Sequence, residues 1–169
     1  MSFEFRCSSC GELHFGMPAF GARAPLSYYA IPSEERASRC RLGSDDCIID
    51  EESYFVQGCI EIPVHGQSDP FSWGVWVSLS KASYNQWVEC FHAKERSHVG
   101  PFFGWLNAGL KPYPDTMNLK TQVHLRDGGI RPLIELEPTG HPLAVEQREG
   151  ISVQRVAELY SQMVHSDGT

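Results

Sequence analysis

The sequence predicts an α+β fold, in which a mostly antiparallel sheet carries two or three packed helices and an N-terminal zinc-knuckle-like turn. Three observations predict it. Strand-like segments occur in blocks with helical segments between the blocks, rather than in strict alternation with them. The turn Asp127-Gly128-Gly129 is a strong hairpin signal between two strand-like segments. Ser80 and Ser152 each precede an amphipathic segment with helical spacing, as N-cap residues do.

Alternating apolar residues predict the strands. The clearest strand is Phe71–Leu79, in which every second residue is apolar and Trp76 lies on the face opposite to Trp73. A short strand at residues 3–7 leads into the N-terminal turn. We predict the remaining strands at residues 47–49, 54–56, 59–62, 119–126 and 130–137.

The helices are predicted from caps and periodicity. Pro32, followed by two acidic residues, predicts a short helix at residues 33–41 that includes Cys40. We expect a helix after Ser80, a short one at residues 142–149 and a last one after Ser152. Residues 11–25 and 101–114 are rich in Gly and Pro and are predicted to be loops, and the tail at 166–169 is predicted to fray.

Length and charge narrow the class of protein. A chain of 169 residues with a net charge of −7 predicts one domain, residues 1–169, in which a knuckle-like segment at 1–20 packs on an α+β core at 25–165. No cluster of basic residues indicates nucleic-acid binding, and the apolar runs are too short to cross a membrane. The start has no signal-peptide pattern, so we expect a cytoplasmic location. The expected partner is an unidentified protein or small molecule, in an oligomeric state that the sequence leaves open.

The segment Cys7-Ser8-Ser9-Cys10-Gly11 is the strongest chemical signal. Two thiolates separated by two residues can bind one metal ion, and Gly11 permits the left-handed backbone that follows the second sulfur. The segment is therefore half of a tetrahedral zinc site, and the other half has to come from isolated residues. A site closed by four protein ligands would hold a structural Zn²⁺.

Cys47 and Cys59 are the best candidates for that second half, because both stand at the starts of predicted strands with eleven residues between them. His14 can substitute as a ligand, and Cys40 also stays open as one. If only three ligands come from the protein, with His14 or Asp46 exchanging, a catalytic role opens. Cys7 and Cys10 can also be read as a thiol-redox pair, although Gly11 ends any helix that such a pair would begin.

An enzyme is the runner-up interpretation. His124, Glu135, His141 and Glu146 are candidate acid–base residues for a small hydrolase, if the fold brings them together. The sequence contains no His-Glu-x-x-His motif, no Gly-x-Ser-x-Gly elbow and no phosphate-binding Gly-x-x-x-x-Gly-Lys loop.

Seven short stretches between Cys7 and Gln147 together carry a family resemblance, which covers about residues 3–165. They are Cys7-Ser-Ser-Cys-Gly-Glu-Leu-His14, Asp46-Cys-Ile-Ile-Asp50, Gly58-Cys-Ile-Glu-Ile-Pro63, Trp73-Gly-Val-Trp-Val-Ser-Leu-Ser80, Phe103-Gly-Trp-Leu106, Tyr113-Pro-Asp-Thr116 and His141-Pro-Leu-Ala-Val-Glu-Gln147. The chain thereby resembles the bacterial family catalogued as domain of unknown function 2199. The resemblance implies a single-domain soluble bacterial protein, without an established activity. The family pattern includes the positions of Cys7, Cys10, Cys47 and Cys59, and so implies the same ligand set.

These observations predict a cytoplasmic, zinc-stabilised binding or interaction module. The alternatives are a small hydrolase-like enzyme that uses the His and Glu residues above, and a thiol-redox protein that uses Cys7 and Cys10.

Overall fold

The sheet is organised around two long strands that pair antiparallel over nine residue positions, Ser53–Ile62 and Phe71–Leu79. The computed structural model describes residues 3–165, so the predicted fraying at 166–169 lies outside the described residues. In chain order the strands are β1 (Glu4–Arg6), β2 (Leu13–Phe15), β3 (Ala19–Gly21), β4 (Cys40–Leu42), β5 (Asp46–Ile49), β6 (Ser53–Ile62), β7 (Phe71–Leu79), β8 (Phe102–Leu106), β9 (Lys120–His124) and β10 (Leu133–Leu136). The helices are α1 (Leu26–Tyr29), α2 (Arg36–Arg39), α3 (Lys81–Glu89), α4 (Pro142–Glu149) and α5 (Val153–Val164), with a short 3₁₀ helix at Ser33–Glu35.

Strands β6 to β10 close into a five-stranded barrel. Each neighbouring pair from β6 through β10 is antiparallel, and β10 returns to β6 in parallel through one bridge, between Leu133 and Cys59. Strand β3 adds in parallel to β7, and β5 and β4 extend the sheet from β6. The prediction of an α+β fold with a mostly antiparallel sheet is confirmed, but two pairings are parallel and the barrel was not predicted.

The main core consists of the apolar residues on one face of the barrel strands, together with the buried sides of α3, α4 and α5. Every second residue of β7 points into it, as the alternation predicted. A smaller cluster covers the opposite face of β5 to β7, where Cys47, Phe55 and Trp76 pack against Tyr28 of α1 and against Ile31, two residues after α1.

Strand β7 and the N-capped helices α3 and α5 confirm their predictions, since the hydroxyl oxygens of Ser80 and Ser152 accept hydrogen bonds from Ser83 N and Arg155 N. Other predictions were wrong. Strands β2 and β3 lie in the first predicted loop, and β8 lies in the second. Cys40 begins strand β4 instead of belonging to a helix, because its backbone is extended and it pairs with Ile49.

Strand β8 was not predicted, because its sequence combines a glycine with aromatic residues on both faces and so lacks the alternation of a typical strand. Phe102, Gly104 and Leu106 point inward and are buried, while Phe103 and Trp105 are exposed. Gly104 fits the barrel wall only without a side chain, since a Cβ there would lie against Val77 Cγ1 and 2.7 Å from Ser78 O. A residue that reads as a turn signal is therefore required by packing inside a strand.

Strands β1 and β2 form a separate two-stranded hairpin at the N-terminus. It pairs with no strand of the barrel sheet, and each of its strands has three residues. An isolated hairpin of this kind is marginally stable in water, so its position depends on what it packs against. That contact is α5: the rings of Phe5 and Tyr160 meet edge to face at 5.2 Å.

Within residues 3–165, no helix has the length and apolar character that a membrane crossing requires.

We expect Gly104→Ala to lower the free energy of unfolding by about 1–3 kcal/mol, because the added methyl overpacks the barrel wall. Gly140→Ala is the matched control, since a Cβ at Gly140 meets no atom within 4 Å, and it should change stability by less than about 0.5 kcal/mol. Urea unfolding followed by circular dichroism measures both. Equal stability of the two variants would contradict the packing of β8 against β7.

Candidate metal centre

The turn between β1 and β2 brings Cys7 and Cys10 to the same end of the hairpin. The Cys7 N–H donates to Glu12 O at 2.9 Å, and the Gly11 N–H donates to Cys7 O at 3.0 Å. Gly11 has φ +72°, the left-handed conformation that its motif requires. The guanidinium of Arg6 donates to Gly11 O at 2.6 Å and holds the far side of the turn.

Hydrogen bonds to the Cys7 sulfur favour its thiolate form. Burial opposes the thiolate, since the residue is only 2% exposed, but the backbone N–H groups of Cys10 and Ser9 and the Cys10 thiol donate hydrogen bonds to its sulfur. Their combined effect outweighs burial and the nearby charge of Glu12, so the pKa of Cys7 is lowered. N–H groups aimed at a sulfur stabilise a metal-bound thiolate in the same way.

Histidine nitrogens lie beside the two sulfurs. Cys7 Sγ, Cys10 Sγ and a ring nitrogen of His165 all lie within 4.8 Å of one another. Cys10 Sγ is also 3.7 Å from His14 Nε2, and these two atoms form a second such group with Glu12. Ligand atoms around one tetrahedral zinc ion stand about 3.3–3.8 Å apart. Cys7, Cys10 and His165 form one group, whereas His14 belongs to the other, so His14 would have to move toward Cys7 and His165 to share their ion.

The hairpin and α5 meet directly at this place. The His14 ring packs between Phe5 at 5.5 Å and Tyr160 at 4.6 Å, and the hydroxyls of Ser9 and Ser161 are hydrogen-bonded. His165 directly follows α5, and its N–H donates to Ser161 O at 2.8 Å. The sequence analysis missed His165, although a histidine at the end of an amphipathic helix was a weak signal.

The structure does not bring Cys47 and Cys59 to this turn. Among residues 3–165, neither belongs to a group of three or more ligand atoms within 4.8 Å. Cys47 pairs with Phe55, which lies four residues before Cys59 on β6, so the α-carbons of Cys47 and Cys59 are about 14 Å apart. One tetrahedral ion would need their sulfurs at about 4 Å. Cys59 does not begin a strand, because β6 runs unbroken from Ser53 to Ile62.

Cys47 also has the wrong environment for a thiolate. It is completely buried among Ile49, Phe55 and Trp76, with Cys40 at the edge of this cluster. Burial, together with the charges of Cys40 and Asp46, raises the pKa of Cys47 to about 12. The Asp46 carboxylate accepts a 2.5 Å hydrogen bond from the hydroxyl of Tyr84, so it also has a partner of its own.

The acid–base candidates separate into different places. His124 Nε2 lies 3.2 Å from Glu135 Oε1, in a partly exposed pair between β9 and β10. His141 caps α4: its Nδ1 accepts from Leu143 N at 3.1 Å, and its Nε2 then donates to Asp115 O at 3.0 Å. Both ring nitrogens of His141 are therefore occupied by the backbone.

Glu146 is held in a different network. Its carboxylate accepts from the hydroxyl of Tyr113 at 2.6 Å and from Arg155 Nε at 2.7 Å, in a partly buried position. Burial and then this hydrogen bond raise the pKa of Tyr113 well above its usual value. The four residues of the enzyme hypothesis thus form no shared acid–base centre.

A cleft of about 640 Å³ opens where β10 leaves β6 after their single bridge. The side-chain amide of Gln147 occupies the edge of β10 there, donating to Ile134 O at 2.8 Å and accepting from Leu136 N at 2.8 Å. The lining combines apolar residues with charged ones, namely Val64, Leu133, Leu136, Ala144, Glu61, Asp69, Glu135 and Arg148.

Comparison with known proteins identifies one family. Residues 6–151 match the family model described as "Uncharacterized protein conserved in bacteria (DUF2199)". The match contains Cys7, Cys10 and His14 and ends before α5, so His165 lies outside it. No curated protein and no solved structure matches the chain.

Cys10 and Cys47 should react very differently with iodoacetamide in the native, chelator-treated protein at pH 8. Cys10 is exposed, whereas Cys47 is completely buried and stays protonated because its pKa is near 12. Peptide mass spectrometry over time should show early labelling of Cys10 and labelling of Cys47 only after urea is added. Comparable native rates at both residues would contradict this placement of Cys47.

Proposed function

Because the chain belongs to the bacterial family DUF2199, described as uncharacterised, we propose its function from geometry: it is a zinc-stabilised binding module. Zn²⁺ is bound by Cys7, Cys10, His165 and His14, and it fastens the N-terminal hairpin to α5. The observation that carries the proposal is the approach of Cys7 Sγ, Cys10 Sγ and the His165 ring to within 4.8 Å of one another.

The ligand types favour zinc. Two thiolates with two imidazoles are a common tetrahedral set for Zn²⁺, whereas hard cations prefer oxygen ligands. His14 is the better fourth ligand than Glu12, because its ring nitrogen already lies 3.7 Å from Cys10 Sγ and its ring is held by Phe5 and Tyr160.

The proposed role of the ion is structural. Four protein ligands leave no open position for a substrate or an activated water. The hairpin has three residues in each strand, so metal binding can supply the stability that its own hydrogen bonds lack. A metal site also explains why the imidazoles of His14 and His165 lie beside the sulfurs, which a thiol-redox pair does not require.

The proposed binding site is the cleft between β6, β10 and α4. Its volume of about 640 Å³ suits a small molecule or a short peptide segment, and apolar residues form much of its lining. We propose a cytoplasmic location as well, because all six cysteines are free, which fits a reducing compartment.

Metal analysis with substitutions tests the ligand set. We expect one equivalent of zinc in the purified protein, a zinc affinity at least about tenfold lower in His165→Ala, and a lower melting temperature after chelation. Competition with a chromogenic chelator measures the affinity.

Two control variants make the result specific. His98→Ala changes an exposed histidine outside the centre, and Cys59→Ser changes a cysteine of the earlier ligand set, so both should keep the zinc affinity of the unmodified protein. Absence of zinc, or loss of zinc in Cys59→Ser with retention in His165→Ala, would refute the proposed centre.

A further inference from the structure

A second cleft, of about 410 Å³, lies on the other side of the bridge between Leu133 and Cys59. It is bounded by the end of α3, by the segment that follows α3, by the turn between β9 and β10, and by the middle of β6. Its lining includes three basic side chains, Lys94, Arg96 and Arg131, with His92 and Trp87 beside them.

Arg96 is the unusual member of this lining. It is only 3% exposed, and its guanidinium donates to three carbonyls: Phe91 O at 2.8 Å, Arg126 O at 2.9 Å and Ile130 O at 2.9 Å. Three of its five N–H groups are used in this way. Carbonyls satisfy hydrogen bonds but do not neutralise the charge.

No carboxylate forms an ion pair with Arg96 in the part of the chain that the structure describes. The carboxylate of Asp127 accepts instead from the backbone N–H of Arg96 at 2.7 Å and from Ser97. A buried cation without a counter-charge is costly, and an anion bound beside it would remove that cost.

The charged side chains around Arg96 also favour an anion in this cleft. Lys94 and Arg131 border the cleft with Arg96, and the one acidic residue in its lining is Asp45, whose Oδ1 lies 3.3 Å from Arg131 Nε. The chain as a whole carries a net charge of −7, so this cleft is locally positive on an acidic protein.

We propose that this cleft binds the phosphate group of a small molecule. Arg96 supplies a fixed, buried positive charge, and Lys94 and Arg131 donate hydrogen bonds to the phosphate oxygens from the rim. Trp87 and Phe91 form an apolar wall beside them. The cleft holds a small phosphate ester or a diphosphate, whereas the net charge of −7 on the whole chain disfavours a nucleic acid. This site is independent of the proposed metal centre.

Calorimetric titration with inorganic pyrophosphate, at constant ionic strength set with chloride, tests the site in the full-length protein. We expect saturable binding at one site. Lys94→Ala and Arg131→Ala should each weaken the affinity by about fivefold or more, because each removes a charged donor from the rim. Asp45→Asn should strengthen it, because the opposing carboxylate is lost.

Lys120→Ala is the control, since Lys120 is an exposed lysine of β9 that does not border this cleft, and it should leave the affinity unchanged. Melting temperatures of the variants check that each one is folded. Absence of saturable binding to the unmodified protein, or equal affinities of Lys94→Ala, Arg131→Ala and Lys120→Ala, would overturn the proposal.

Discussion

The closure of the barrel depends on one short contact between strands, the pairing of β10 with β6. We call this contact the seam of the barrel. Strands β10 and β6 share a single parallel bridge, between Leu133 and Cys59. Each of the other strand pairs in the barrel is antiparallel and has at least two paired positions. Beyond the bridge, the amide of Gln147 binds Ile134 O and Leu136 N, so helix α4 completes the hydrogen bonding that β6 does not provide. The edge of β10 is thereby protected from pairing with another chain.

The same seam determines where the molecule has clefts. On one side of the bridge the strands diverge and leave the larger cleft, and on the other side the turn after β9 and the segment after α3 enclose the smaller, basic one. Because α4 is fixed at the seam, α5 runs from it across the core, where its Val156 and Leu159 are completely buried. This path carries the end of α5 to the N-terminal hairpin, and there the two ends of the described chain meet.

Much of the fold followed from local patterns. Every second residue of strand β7 is apolar, and the helices α3 and α5 have serine caps and apolar faces, so each could be placed from its own residues. Strand β8 could not, because Gly104 reads as a turn although it is required by contact with Val77. Closure of the barrel could not be predicted either, since it depends on one contact between distant strands.

The residues of the proposed metal centre were likewise only partly predictable from the sequence. The turn Cys7–Cys10 was evident because spacing alone brings two sulfurs together, but a search for two further cysteines led to Cys47 and Cys59, which lie in and beside the packed sheet. His165 is separated from Cys10 by almost the whole chain, and only the path of α5 reveals their approach. The role of Arg96 could not be predicted either, because an arginine in a polar segment is normally exposed. Its guanidinium donates to one nearby carbonyl, Phe91 O, and to two carbonyls of the distant turn between β9 and β10, Arg126 O and Ile130 O.

X-ray absorption at the zinc K-edge of the purified protein tests the central claim most directly, since it counts the ligands around the ion. The account predicts two sulfur ligands at about 2.3 Å and two nitrogen ligands at about 2.0–2.1 Å. A shell of four sulfur atoms would favour the ligand set Cys7, Cys10, Cys47 and Cys59 and would contradict a zinc ion that joins the hairpin to α5. A zinc ion surrounded only by oxygen ligands would contradict it as well.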